Sequence, residues 1–131
     1  MADVSEKNKG DHYLKKRVHA FRAAFQGVRF GWKEGAHFQL YIPATVLVII
    51  AGFWLKVNAL EWCILVGCCG LVILTELINT AIEKLADRVT MEFDPLIGKV
   101  KDLAAAAVVI SALTALIIGG IIFLPKILNK V

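Results

Sequence analysis

Apolar and polar positions fall into long blocks along this chain, and three windows carry no charged residue. Gly35–Leu55 gives 21 residues, Trp62–Thr75 gives 14 and Leu103–Pro125 gives 23. About 20 apolar residues are needed to cross the hydrocarbon of a bilayer. The outer windows meet that length by themselves; the middle one does so only if its helix runs on through Glu76. Its periodicity predicts that continuation. At about 100° per residue, Glu76, Asn79, Thr80, Glu83 and Asp87 share a third of the helix circumference, and Leu77, Ile78, Ala81, Ile82, Leu85 and Ala86 take the other side. One helix thus leaves apolar surroundings and turns polar midway.

Ahead of the windows, Leu14, Val18, Phe21, Phe25, Val28 and Trp32 recur at steps of four and three. They form one helix face, with Lys15, Lys16, Arg17, Arg22, Arg29 and Lys33 mostly beside or behind it. A basic amphipathic helix with aromatics lies flat on an anionic membrane surface. Residues 1–11 are polar and expected to be disordered. The pattern predicts an all-α, integral-membrane fold in one domain, residues 1–131: a surface helix at 12–34 and spans at 36–55, 60–89 (with a cytoplasmic extension) and 101–124.

Local signals refine these limits. Gly35 marks a break, and Pro43 sits in the opening turns of the first span, where a missing donor is tolerated. The short link Lys56–Leu60 predicts an antiparallel hairpin flanked by Trp54 and Trp62 as interface anchors. Met91–Lys99, with Asp94-Pro95 and Gly98, reads as a turn-rich link. The last span carries Ala104–Ala107, Ser111, Thr114, Gly119 and Gly120, and small residues let helix backbones approach closely in a bilayer. A tight bundle or an oligomer is expected.

Composition agrees: 58% of the 131 residues are apolar and the mean hydropathy is +0.68, above the range of soluble domains. The net charge of +4 matters less than its placement. Residues 1–34 hold eight of the fifteen Lys and Arg, and Lys84–Lys101 holds four more. The positive-inside rule then puts the N-terminus and the second link in the cytoplasm, the alternation three spans require. A nucleic-acid partner is set aside because the basic segment adjoins the spans. No cleavable signal peptide is expected, since the first apolar run starts far from Met1. Cys63, Cys68 and Cys69 lie within one span without metal-ligand spacing, and read as small buried apolar residues.

The fourteen residues before Glu76 rise about 21 Å, against about 30 Å of hydrocarbon. Glu76 therefore stops short of the cytoplasmic interface, and Glu83 lies about 10 Å further along. Ionisable groups at such depth are costly and usually functional. Desolvation disfavours the charged form of a carboxylate and makes it a better proton acceptor, which suits a general base. A second carboxylate at phosphate depth suits Mg²⁺, usually held by one or two carboxylates plus substrate phosphates. Asn79 is placed to orient a hydroxyl or phosphate, and Lys101 and Asp102 add a cation and another acid. This face fits phosphoryl transfer to a lipid alcohol, a reaction in which positioning and charge neutralisation do most of the work. Three other readings stay open at this point: a polar helix end that merely solvates itself, a small oligomeric transporter or proton channel with Glu76 and Asp87 as a relay, and a noncatalytic membrane scaffold. No Walker-type loop is present, so any nucleotide site is not a P-loop.

Glu-Leu-Ile-Asn-Thr-Ala-Ile-Glu at 76–83, Asp87-Arg88, Glu92-Phe93-Asp94-Pro95-Leu96 and Lys101-Asp102-Leu103-Ala104-Ala105 strongly resemble the small bacterial membrane lipid kinases, the prokaryotic diacylglycerol kinase and undecaprenol kinase family. The resemblance covers about residues 12–124. It implies a homotrimer of three-span subunits in the bacterial inner membrane, with active sites shared between protomers, that phosphorylates diacylglycerol or undecaprenol with ATP and Mg²⁺. By the same resemblance Glu76 matches the catalytic base, Glu83 a Mg²⁺–ATP ligand and Asn79 the motif amide near the reacting groups. Lys101, Asp102, Glu92, Phe93 and Asp94 match nucleotide-contacting positions, and Lys16 a basic position near the phosphates. Family members usually carry a metal-binding Glu three residues before a Phe or Ala at the junction of surface helix and first span. Counting back from Phe38 gives Gly35, so Glu34 is expected at the metal only if a kink at Gly35 returns it towards Glu83.

Overall fold

The computed structural model describes residues 2–35, 37–90, 92 and 94–129, with side chains from residue 15 onward. Every regular element among them is a helix, in the order α1 (Ala2–Glu34), α2 (Phe38–Trp54), α3 (Ala59–Val89) and α4 (Pro95–Leu128). The chain divides into two compact units, residues 1–33 and 34–131.

The first unit is α1 up to Lys33. The helix begins at Ala2 and so takes in the residues expected to be disordered; Glu6, Lys7 and Lys9 are good helix formers and no proline interrupts them. Val18, Phe21, Phe25 and Val28 of its apolar face are all exposed.

In the second unit, α2 carries no charged residue but has only 17 residues and rises about 25 Å, less than the hydrocarbon thickness. It ends in a compact turn. Lys56 adopts φ 51°, its N–H donates to the Phe53 carbonyl at 3.3 Å, and the Val57 N–H donates to the Gly52 carbonyl at 3.1 Å. That is the left-handed helix end usually reserved for glycine. Two residues later α3 is capped reciprocally: the Asn58 side chain accepts from the Glu61 N–H at 2.9 Å, and the Glu61 carboxylate accepts from the Asn58 N–H at 2.7 Å. The same Glu61 carboxylate pairs with Lys126 of α4 at 3.0 Å. Trp62, expected as an interface anchor, lies over the backbone of Gly52, so close that a Cβ there would come within 2.6 Å of its ring. Val57, Leu65 and Ile122, with Val48, Ile118 and Phe123 against them, complete this apolar cluster.

α3 packs chiefly on α4 and to a lesser extent on α2. Midway along the pair, the Thr75 and Ser111 hydroxyls lie 2.8 Å apart. Each also donates or is placed to donate to its own helix, Ser111 to the Val108 carbonyl and Thr75 to that of Leu71 or Val72. Both helices are long and apolar enough to cross a bilayer; their 31 and 34 residues rise about 46 and 51 Å. Leu103, Leu116 and Ile121 are exposed on α4, as befits a helix that is apolar all round.

The limits of the third expected span move outwards. α4 starts at Pro95 because the Asp94 carboxylate accepts from the Leu96 and Ile97 N–H groups, at 2.7 and 3.3 Å, and Pro95 suits the first helical position. Asp94-Pro95 is thus a helix start and not part of a longer link. At the other end α4 passes through Pro125 to Leu128.

Candidate active site

The polar face of α3 is where this unit buries its charge. Glu76 is 0% exposed, and Asn79 and Thr80 are each 4% exposed. A carboxylate in such a place needs partners, because burying an unpaired polar group is costly. Glu76 has one hydrogen bond: its Oε1 accepts the backbone N–H of His37 at 3.0 Å. His37 is the N-cap of α2, and its own side chain makes no capping bond. Glu76 therefore caps α2 from a different helix, where an anion also meets the positive end of the helix dipole. The His37 Nδ1 stands 3.8 Å from the same oxygen, and the imidazole is 60% exposed. Phe38, 1% exposed, follows directly.

The other carboxylate oxygen, Glu76 Oε2, has no partner; nor do Asn79 Oδ1 and Thr80 Oγ1. Three unsatisfied buried oxygens within five residues of one helix are unusual, since buried polar atoms are nearly always paired. Asn79 uses its other end: Nδ2 donates to Glu83 Oε1 at 3.2 Å, orienting a carboxylate that is only half-buried. Asn79 also borders a groove of about 380 Å³ between α3 and α4, with Thr75, Ile78, Ile82, Leu103 and Ala104. Its walls are mostly apolar.

The outer residues are arranged as ion pairs. Lys84 holds Glu34 at 2.5 Å, and Lys101 holds Asp87 at 2.5 Å, bridging α4 to α3. Glu34 thus reaches α3, where its partner is Lys84, the residue after Glu83. Gly35 does break the helix between α1 and α2, yet no described glycine has a positive φ, so the break uses backbone angles open to other residues. Asp102 is exposed and borders an open hollow with Lys99, Leu103 and Ala106. Glu92 is exposed, its N–H donating to Thr90 Oγ1 at 3.1 Å, and Asp94 is occupied as the α4 cap. Phe93 lies outside the described residues. Lys16 belongs to the first unit, where it is exposed on α1. The structure thus joins Glu76, Asn79 and Glu83 in one continuous strip, with Lys84 and Glu34 at its outer end.

Two participants were not singled out by sequence pattern. Lys84 escaped notice as an ordinary charge at a helix end. His37 had no signal at all, because its contact with Glu76 joins positions 39 apart and uses a backbone group. Thr80 was visible on the polar face, but nothing in its spacing indicated that its hydroxyl would be buried and unpaired.

Whether the strip fits Mg²⁺ is decided by its donors. Among the described residues no group of three His, Cys, Asp or Glu could hold a metal ion. Mg²⁺ needs only one or two carboxylates when it arrives with phosphates, and Glu83, partly exposed and oriented by Asn79, is of that kind.

Comparison with known proteins gives this arrangement its context. The profile of the prokaryotic diacylglycerol kinase family matches residues 22–123. An undecaprenol kinase of Bacillus subtilis is 35% identical over 127 residues, covering 97% of this chain and 100% of that protein. A diacylglycerol kinase of Escherichia coli K12 is 34% identical over 94 residues, 72% of this chain and 77% of its own length. One from Helicobacter pylori 26695 is 35% identical over 103 residues, 76% and 80% of the two chains. The polar strip from Glu76 to Lys101 falls within the matched region, and these relatives lend no support to a transporter or channel. The chain belongs to the prokaryotic diacylglycerol kinase family.

Proposed function

We propose that this protein is an ATP- and Mg²⁺-dependent lipid kinase of the bacterial inner membrane, with its N-terminus in the cytoplasm, that phosphorylates the primary hydroxyl of a membrane lipid. The observation that carries this reading is the Glu76 carboxylate: fully buried, one oxygen anchored by the His37 N–H, the other without a partner. A lipid hydroxyl that donates to Oε2 completes its hydrogen bonding and is at once within reach of its base. Because Glu76 is 0% exposed, substrate access requires its surroundings to open. Lipid oxygen then attacks the γ-phosphorus, the bond to the β,γ-bridging oxygen breaks, ADP departs, and the hydroxyl proton passes to Glu76 Oε2. Asn79 Oδ1 and Thr80 Oγ1 offer further acceptors for donors on the substrate, and Lys101 and Lys84 offer cations that phosphates can draw from their present carboxylate partners. Glu83 would hold Mg²⁺, which supplies charge neutralisation on the transferring phosphoryl group. Glu34 is a second ligand if phosphate takes Lys84 away from it. Asp102, Glu92, Phe93, Asp94 and Lys16 remain the proposed nucleotide contacts.

The lipid we favour is undecaprenol, on the end-to-end match to the Bacillus undecaprenol kinase; diacylglycerol is the other candidate. A homotrimer is the proposed assembly, supported by Ala105 and Ala106 lying exposed on α4 beside buried Ala104. Purified protein in mixed micelles with γ-labelled ATP tests the whole reading. Label should move to undecaprenol, and to diacylglycerol more slowly; transfer to neither lipid refutes the kinase, and the reverse preference refutes the choice of lipid.

A further inference from the structure

We propose that His37 is the proton exit of the active site, its imidazole carrying to solvent the proton that Glu76 takes from the lipid. The proposal rests on Glu76 as base and adds a residue and a route. A base that is 0% exposed must be emptied after each turnover, and water has no direct access to it. The His37 imidazole is 60% exposed and its Nδ1 lies 3.8 Å from Glu76 Oε1, so one ring lies beside the buried carboxylate and also reaches the protein surface. The other groups of the second unit facing this point are less suited. Tyr41 on α2 has a hydroxyl that ordinarily takes up no proton near neutrality. Asn79 on α3 does not titrate, Glu83 is two turns away, and α4 presents the Ser111 hydroxyl to Thr75.

The His37 backbone has a part in the same sequence. While Glu76 is ionised, the His37 N–H donates a charge-assisted bond to Oε1, leaving Oε2 as proton acceptor. Protonation at Oε2 weakens that bond, because a neutral carboxyl is the poorer acceptor. The terminal carboxyl torsion is soft, and a half-turn brings the new O–H towards the imidazole. The proton passes to Nδ1 as the ring swings about 1 Å closer, into hydrogen-bond range. A proton leaves Nε2 to water, the carboxylate is restored, and the ring ends as the other neutral tautomer. No oxidant or co-reactant is involved.

Because the backbone N–H survives substitution, the two parts of His37 can be separated. In His37→Ala and His37→Gln, kcat should fall about tenfold, a modest share of what general acid–base groups supply, with KM for ATP little changed. Added imidazole should restore kcat to His37→Ala in proportion to its concentration, and should leave Glu76→Gln inactive. His37→Gln, which keeps a polar side chain of similar length, covers the case in which the alanine variant folds poorly. Wild-type kcat in both His37 variants, or a loss that imidazole does not relieve, overturns the relay while Glu76 stands as base. An active Glu76→Gln removes the base itself.

Discussion

The two ends of the α2–α3–α4 unit treat their polar groups in opposite ways. At the Glu61 end every device of local stabilisation is engaged: the left-handed turn at Lys56, the reciprocal cap of Asn58 and Glu61, the Lys126 ion pair and the Trp62 ring seated on Gly52. At the Glu76 end a buried carboxylate has one bond, and three buried oxygens have none. Neighbouring structure is equally regular in both places, so poor packing does not account for the difference. Natural sequences break local rules where function demands it. The closed end holds three helices in register, and the open end keeps hydrogen-bonding capacity free for a substrate.

The contrast breaks most readily at Glu76. Glu76→Gln should lower turnover about 10²- to 10⁴-fold, the usual range for a general base, while nucleotide binding, followed by equilibrium titration, stays near wild type. Retention of more than roughly a tenth of the wild-type rate, well above that range, would dismiss the residue from the role. Gly52→Ala probes the closed end. Its new Cβ meets Trp62 at 2.6 Å, and overpacking of this kind costs about 1–3 kcal/mol. Thermal unfolding in detergent should show the loss, with turnover at low temperature nearly unchanged. A large fall in turnover without loss of stability would show that the two ends are not independent.

A smaller effect is expected at the rim of the open end. Glu34→Gln should raise the Mg²⁺ concentration for half-maximal rate by a few-fold, about 1 kcal/mol, with the lipid dependence little altered. An unchanged Mg²⁺ titration would leave Glu34 as a partner of Lys84 alone, a half-exposed pair of little consequence for stability. The smallest effect belongs to Lys56→Gly. Glycine relieves the left-handed strain at φ 51° and loses more chain entropy on folding, for a net gain of about 0.5 kcal/mol. Chemical denaturation at fixed detergent should resolve that increase, and a decrease would mean that the lysine makes a favourable contact of its own.

Much of this was legible in the residues themselves. The polar strip on α3 followed from helical periodicity. The start of α4 was not, because Asp94-Pro95-Leu96 reads equally as a turn or as a cap, and only the bonds to Leu96 and Ile97 decide. Glu34 was expected at a metal, and it stands beside Lys84; side-chain partners at the junction of two elements depend on how the chain turns, which no repeat in the residues encodes. The cap that Glu76 places on α2 was hidden for the same reason.

Glu76, Asn79 and Glu83 stand on a single uninterrupted stretch of α3, and this makes the backbone pitch a ruler for the site. Seven residues are nearly two whole turns, so Glu83 stays in phase with Glu76 about 10 Å along the axis. Substitutions around the strip leave that phase alone. One inserted or deleted residue between positions 76 and 83 does not: it rotates everything beyond it by about 100° and shifts it about 1.5 Å. The site should therefore drift in composition much more freely than in length.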